Sequence, residues 1–355
     1  MNIIAFDSHK RYTVSVAEEE NGKKINTARI PHSRGAITGY LKQFRQGSPV
    51  AVETIGSWYW IVDEIEQAGF KPVLVNAHRA KMMMCNSNKT DRLDAEGINR
   101  LQRAGTVPSV WIPSGQIRDK RELARTRMVF ANQRTRLKNR IHSVIDKWGF
   151  QDEFSGISDI FTRKGRTILD KVKDELPRET AFTLQQLLCS LDEVQAAITG
   201  IEKRMQQVFT DDPVINRLQS LPGVGFILAV VIAGEVGDIS RFHSCEALAS
   251  YSGMTPKVHS SGGKTRYGRL RNDVNHYLKW AFSEAGNSVA VNHSRKPVLY
   301  VSKKYKRLRA KKGHSVAVGA VGRHLAESVY WMLTRKQDYL ERGDSAKQDL
   351  NVNVS

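Results

Sequence analysis

Three cysteines are all the chain has in 355 residues, and Cys85, Cys189 and Cys245 stand far apart with no CxxC among them. That excludes a disulfide framework and a thiolate zinc site, and it indicates the reduced thiols of a cytoplasmic protein. Long apolar runs are missing too. The longest, residues 224–233, is about half of a bilayer span, so no membrane partner is expected. No leader is expected either, because Met1-Asn2-Ile3-Ile4 already begins a strand pattern. No internal repeat is visible, which removes solenoids and propellers. Acidic residues are scarce: 36 Asp and Glu face 55 Lys and Arg, a net charge of +19. An excess of that size points to a polyanionic partner, nucleic acid above all.

The first 110 residues alternate short apolar runs with amphipathic ones. Residues 2–6, 12–17 and 24–30 read as three strands, the last two joined at Asn21-Gly22. Ile37, Tyr40, Leu41 and Phe44 have helical spacing, residues 49–52 a buried-strand pattern, 58–68 a helical one, and 72–75 a strand one. The order predicts a mixed α/β sheet covered by helices.

Two acids end strands in this scheme: Asp7 follows the first and Glu53 the fourth. If those strands are parallel neighbours, both carboxylates reach the carboxyl edge, where such sheets keep their sites. Asp91 and Asp94 stand three apart, so a helix capped by Thr90 or Asn88 puts both on one face. Singly, each acid reads as a turn residue, a strand-end charge or a helix-start acid. Together on a basic protein, four convergent carboxylates require cations between them. The expected occupants are Mg²⁺ or Mn²⁺, as a pair about 3.5–4 Å apart acting on a phosphodiester.

The order Asp7, Glu53, Asp91, Asp94 resembles the DEDD transposases of bacterial insertion sequences. So do the phrases Asn2-Ile3-Ile4-Ala5-Phe6-Asp7 and Thr90-Asp91-Arg92-Leu93-Asp94-Ala95. The resemblance extends over most of the chain. It implies an RNase H-like, RuvC-like domain over residues 1–112, with the four acids as its metal-binding tetrad. It also implies dimers pairing into a tetramer around donor and target DNA, and a structured guide RNA from the element itself. A nucleoid-associated bacterial protein follows from the same resemblance.

Residues 113–212 read as a basic, helical coiled-coil region. From 118 to 147 there are ten basic residues and three acids, over a seven-residue spacing of Leu123, Phe130, Leu137 and Val144. Arg125, Arg127, Arg134, Arg136, Lys138 and Arg140 are candidate nucleic-acid contacts on this helix. A stricter heptad runs through Leu184, Leu191, Ile198 and Met205, alternating with Leu187, Val194, Ile201 and Val208. An antiparallel hairpin within one chain and a dimerisation seam are both open. Residues 156–179 read as a polar, irregular connection.

A mainly α transposase domain is expected over 213–336, with a polar, disordered tail over 337–355. Leu221-Pro222-Gly223-Val224-Gly225 is similar to a helix-hairpin-helix turn, where Gly223 and Gly225 would let backbone N–H groups meet a phosphate. A plain interhelical turn is the other reading. Residues 259–269 hold no acid but carry Ser260-Ser261-Gly262-Gly263 beside Lys264, Arg266 and Arg269, with Arg271 just beyond. Such cations could stabilise a serine attacking phosphorus. The family resemblance assigns the covalent DNA link to Ser261, with Ser260 as the neighbouring alternative, and leaves Tyr267 a packing or stacking role. Residues 302–312 hold seven basic residues and no acid, so Lys303, Lys304, Lys306 and Arg307 are further candidate contacts.

The expected activity is therefore DNA recombination with a covalent serine intermediate. The serine and the acids, about 170 residues apart, would act within one subunit or between two. A hydrolytic nuclease of the Holliday-junction type would need the acids but not the serine. A non-catalytic nucleic-acid binder would need only the charge.

Overall fold

The computed structural model describes residues 1–84 and 90–341. Asn88, Cys85 and the tail beyond 341 lie outside the described residues. Two compact units result, Met1–Pro113 and a second from Ser114 onward.

The first unit is a six-stranded mixed sheet with helices on it. Its strands are β1 (Asn2–Ser8), β2 (Tyr12–Glu19), β3 (Lys24–Pro31), β4 (Pro49–Glu53), β5 (Lys71–Val75) and the short β6 (Ser109–Val110). They lie in the order β3-β2-β1-β4-β5-β6. The first three form an antiparallel meander, whereas β1, β4 and β5 are parallel. The helices are α1 (Ala36–Leu41), α2 (Trp58–Gln67), α3 (Ala77–Met84) and α4 (Asp91–Arg103). Alternation in β1 and β4 sends Ile4, Phe6, Val50 and Val52 into one core with Ile37, Leu41, Ile61 and Ile65 from α1 and α2. Ala5 and Ala51 point the other way, into a core with Ala95 and Ile98 of α4.

Alanines on that face let α4 lie close to the sheet, and two side chains fasten it there. Asn99 Nδ2 donates to the Val16 carbonyl at 2.9 Å, and Gln102 Nε2 to the Ile4 carbonyl at 2.9 Å. Arg103 pairs with the buried Glu18 at the far end of the helix. Gly22 closes the β2–β3 turn with φ +89°, in the left-handed region that glycine enters without strain.

The second unit is mainly helical. It begins with α5 (Gly115–Lys147), α6 (Arg163–Glu175) and α7 (Arg178–Val208). α5 and α7 run antiparallel, since Arg127 pairs with Glu202 and Arg134 with Gln195 further back along α7. Most of the heptad seam of α7 is filled within the chain: Leu184, Leu191, Ile198 and Met205 are buried, the first two against Ile141, Val144 and Ile145 of α5. The connection over 156–179 is not irregular throughout. It contains α6, whose Leu169 and Val172 close the same core.

There follow α8 (Pro213–Gln219), α9 (Phe226–Val236), α10 (Cys245–Tyr251), the hairpin β7 (Pro256–Ser261) and β8 (Lys264–Leu270), then α11 (His276–Asn292), α12 (Tyr300–Lys312) and α13 (His314–Arg335). Their common core includes Val230, Leu278, Phe282, Val321 and Leu325. At its edge Glu235 is buried and takes a bidentate contact from Arg125, with Nε 2.8 Å and Nη2 3.1 Å from its oxygens. Asn275 Nδ2 donates to the same carboxylate at 2.9 Å, so Glu235 ties α5, α9 and the start of α11 together. Part of the expected tail is ordered: the Tyr339 N–H donates to Ser220 Oγ at 2.8 Å, and Glu341 accepts from the Tyr300 N–H at 2.5 Å. No described helix is long and apolar enough to cross a membrane.

Candidate functional site

Strand pairing sets up the carboxylate site. Phe6 of β1 is in register with Val52 of the parallel β4, so Asp7 and Glu53 stand side by side one residue further on. Both share the face of Ala5 and Ala51, which is the face α4 covers. Thr90 caps that helix, its hydroxyl accepting from the Leu93 N–H at 3.2 Å, and Asp91 and Asp94 lie in its first turn. Capping thus fixes where the two helical carboxylates begin.

Asp7, His9 and Asp91 bring one ligand atom each within 4.8 Å of one another. Asp94 and Glu53 stand outside that closest set. His9 Nε2 lies 3.3 Å from Asp7 Oδ2 and 3.0 Å from Asp91 Oδ2. The Tyr12 hydroxyl donates to Asp91 Oδ2 at 3.1 Å. Burial pushes the Asp7 carboxyl up to about 6; the charges of Asp91 and Asp94 push the same way, and His9 opposes them. A buried carboxylate held against two more is a site that a cation stabilises. The donor set, two carboxylate oxygens with one imidazole nitrogen, could hold a divalent cation.

His9 and Tyr12 have no place in the expected tetrad. They reach it because the chain reverses tightly after β1, with the His9 N–H donating to the Tyr12 carbonyl at 2.8 Å. The signal was a polar ring at each end of the turn that follows a strand-end acid.

Ser261 lies not in a loop but at the end of β7, in a hairpin closed by Gly262 and Gly263 at φ +56° and +77°. Two successive left-handed residues make the turn that suits hairpin twist. Ser261 pairs with Lys264 and His259 with Arg266, while Ser260 pairs with Thr265 and Val258 with Tyr267. Paired residues share a face. Ser261 therefore stands with Lys264, His259 and Arg266, and Ser260 with Thr265, whose hydroxyl is 3.3 Å away. Lys264, Arg266 and Arg269 are exposed. Arg271 is turned back onto Asp273, with Nε and Nη2 donating at 3.1 and 2.6 Å.

The basic residues of α5 divide. Arg125 is held by Glu235, Arg127 by Glu202 at 2.8 Å, Arg134 by Gln195 at 3.0 Å, and Lys138 lies 3.4 Å from Asp159. Arg136 and Arg140 are exposed. On α12, Val301, Ser302 and Tyr305 face the core while Lys303, Lys306 and Arg307 are exposed; Lys304 is half-buried near the Tyr300 ring. In the glycine turn, a Cβ on Gly223 would stand 2.4 Å from the Ala285 carbonyl oxygen, whereas Gly225 opens α9 onto free space. Packing against α11 accounts for Gly223. Only Gly225 is left facing outward.

A transposase family model of the DEDD, IS110 type matches residues 4–149, and one described as the transposase IS116/IS110/IS902 family matches residues 215–301. A probable family 20 transposase of Pseudomonas aeruginosa is 27% identical over 246 residues, covering 66% of this chain and 70% of the relative. The transposase for insertion sequence element IS1111A of Coxiella burnetii is 24% identical over 321 residues, covering 90% and 86%. The transposase for insertion sequence element IS1328 of Yersinia enterocolitica is 26% identical over 231 residues, covering 63% and 66%. With one family model over residues 4–149 and the other over 215–301, the chain belongs to the IS110/IS116 family of insertion-sequence transposases.

Proposed function

We propose that this transposase cuts and rejoins DNA with a divalent cation held by the carboxylate site and with Ser261 as the nucleophile. The observation that carries the reading is the convergence of the buried Asp7, from a strand end, and the half-exposed Asp91, from a helix start, on one point. Glu53, beside Asp7 in register, and Asp94, one turn along α4, complete the donor set. The strand order β3-β2-β1-β4-β5, with its antiparallel meander and parallel half, supports the RuvC-like assignment. When bound, Mg²⁺ supplies charge stabilisation for in-line displacement at phosphorus.

The chain's own residues do the rest. Asp7 must be ionised to hold the cation, and the Tyr12 hydroxyl and His9 fix the orientation of Asp91. Ser261 shares its hairpin face with Lys264, His259 and Arg266, cations and a donor that suit an oxyanion of phosphorus. Ser260 faces Thr265 instead, which favours Ser261 of the two. In the reaction the Oγ–P bond forms as a P–O bond of the strand breaks. The leaving oxygen takes up the proton that Oγ gives up, and the reverse step rejoins DNA without an outside energy source. Choice of target by a guide RNA and assembly as dimers or tetramers belong to the same reading. The family resemblance supports both, and the exposed basic face of α12 suits a nucleic-acid partner.

The test uses purified protein with element RNA, junction and target DNA, and Mg²⁺, followed by denaturation. DNA attached to wild type and to Ser260→Ala, but lost in Ser261→Ala and Asp91→Ala, is the expected result. Cutting without attachment that survives Ser261→Ala would replace this reading with a hydrolytic nuclease.

A further inference from the structure

The β7–β8 hairpin is exposed on both faces, from Lys257 to Arg269. Two strands alone are not stable in water without something to cover them. Among the described residues its base is what anchors it, where Leu270 packs against the helical core and the Arg271 N–H reaches the Thr255 carbonyl at 3.4 Å. One face holds Ser261 with Lys264, His259 and Arg266. The opposite face holds Ser260, Thr265, Val258 and Tyr267; the register shifts between the Val258 and Pro256 pairs, so the alternation stops just beyond the tyrosine. Tyr267 is 73% exposed and Val258 beside it 56%, so an aromatic ring is presented with an aliphatic side chain as its neighbour.

We propose that this second face binds an unstacked nucleobase, Tyr267 stacking on the base while the cations of the acid-free hairpin hold the flanking phosphates. The hairpin would then divide the labour, with phosphate chemistry on the Ser261 face and base capture on the Tyr267 face. This deepens the proposed function. It rests on DNA being the substrate and not on the serine being the nucleophile.

Charge decides the occupant. Residues 256–271 contain Lys257, Lys264, Arg266, Arg269 and Arg271 and no acid. A second copy of this chain would bring the same cations and a net charge of +19 against them. A nucleotide offers both a flat apolar ring for Tyr267 and an anion for its neighbours. A base still paired in a duplex has no free face to offer, so the nucleotide is single-stranded or flipped out.

The test measures binding of the full chain to fluorescein-labelled oligo(dT) and to a duplex of equal length, in chelator so that nothing is cut, over a salt series. Tyr267→Ala is expected to weaken oligo(dT) binding about tenfold and leave duplex binding unchanged. The dependence of log K on log salt should stay the same, because no phosphate contact is removed. Tyr267→Phe should restore the affinity, and iododeoxyuridine in the oligonucleotide should cross-link to the peptide carrying Tyr267. Unchanged oligo(dT) affinity in Tyr267→Ala would overturn the proposal. So would equal losses on strand and duplex, failure of Phe to rescue, or a change in oligomeric mass, which would make the face a protein contact. Strand attachment by the serine is read in the separate denaturation assay, so each reading can fail alone.

Discussion

Asp7→Asn gives the sharpest test of the carboxylate site. The Asp7 carboxyl is raised from 3.8 to about 6, burial being the largest cause, so the folded chain binds its proton more tightly than the unfolded chain does. The sign follows. The stability contributed by the protonated group is fully present below 3.8 and is lost as pH rises through 6. At about 1.4 kcal/mol per pKa unit, the loss amounts to about 3 kcal/mol in metal-free protein. Asparagine cannot ionise, so the variant should lack this loss. It should be at least as stable as wild type at neutral pH in chelator, although the residue is buried and central. Mg²⁺ should restore wild type at neutral pH and do nothing for the variant.

Amide exchange over residues 4–6, corrected for the intrinsic rate, reports this unit separately from the helical one. Comparing variant with wild type at each pH cancels the general self-repulsion of a protein carrying +19. A wild-type pH dependence that persists unchanged in Asp7→Asn would refute the argument. So would a variant less stable than wild type by 2 kcal/mol or more at neutral pH, a size typical of a lost structural contact.

Gly223→Ala should destabilise the second unit by about 2 kcal/mol or more, since φ +83° and a carbonyl oxygen 2.4 Å from the new Cβ both oppose it. Gly225→Ala should melt close to wild type, so any loss of DNA affinity it shows locates a phosphate at the start of α9. Glu235→Ala leaves Arg125 and Asn275 without their shared acceptor and should cost about 3–5 kcal/mol in denaturant unfolding. Replacing Lys303, Lys306 and Arg307 together by alanine should not change stability, because all three are exposed. It should lower the salt slope of duplex binding by about 0.9 for each phosphate contact removed.

What the sequence revealed and what it hid follow from the range of the interactions. Asp7 and Glu53 were legible because alternation in a strand fixes the face of its last residue, and α4 because Thr90 and the two aspartates form a local start signal. His9 and Tyr12 were not, since their approach to Asp91 depends on a turn reversing the chain onto a helix some 80 residues away. The hairpin around Ser261 hid for another reason. Strands exposed on both faces bury nothing, so no apolar alternation marks them. The basic face of α5 misled in the opposite direction. Arg125 and Arg127 look like DNA contacts because their acids, Glu235 and Glu202, lie 110 and 75 residues along the chain. A charge without its partner in view reads as free.

The alanines of the first unit carry the remaining step of the argument. Ala5, Ala51 and Ala95 are fully buried where α4 meets the sheet, and larger side chains there would lift the helix off. Residues of that size contribute little burial of their own, so core stability does not explain all three. Their effect is on distance: a helix lying this close delivers Asp91 from its first turn to Asp7 at the end of β1. Asn99 and Gln102 then lock the helix by bonding to strand carbonyls on β2 and β1. The same contacts that finish the core therefore bury Asp7 and bring Asp91 beside it; burial first, and the neighbouring carboxylate charges after it, raise the Asp7 carboxyl to about 6. On the proposed reading, a cation bound there would relieve this repulsion, and packing has already brought Asp7 and Asp91 together for it.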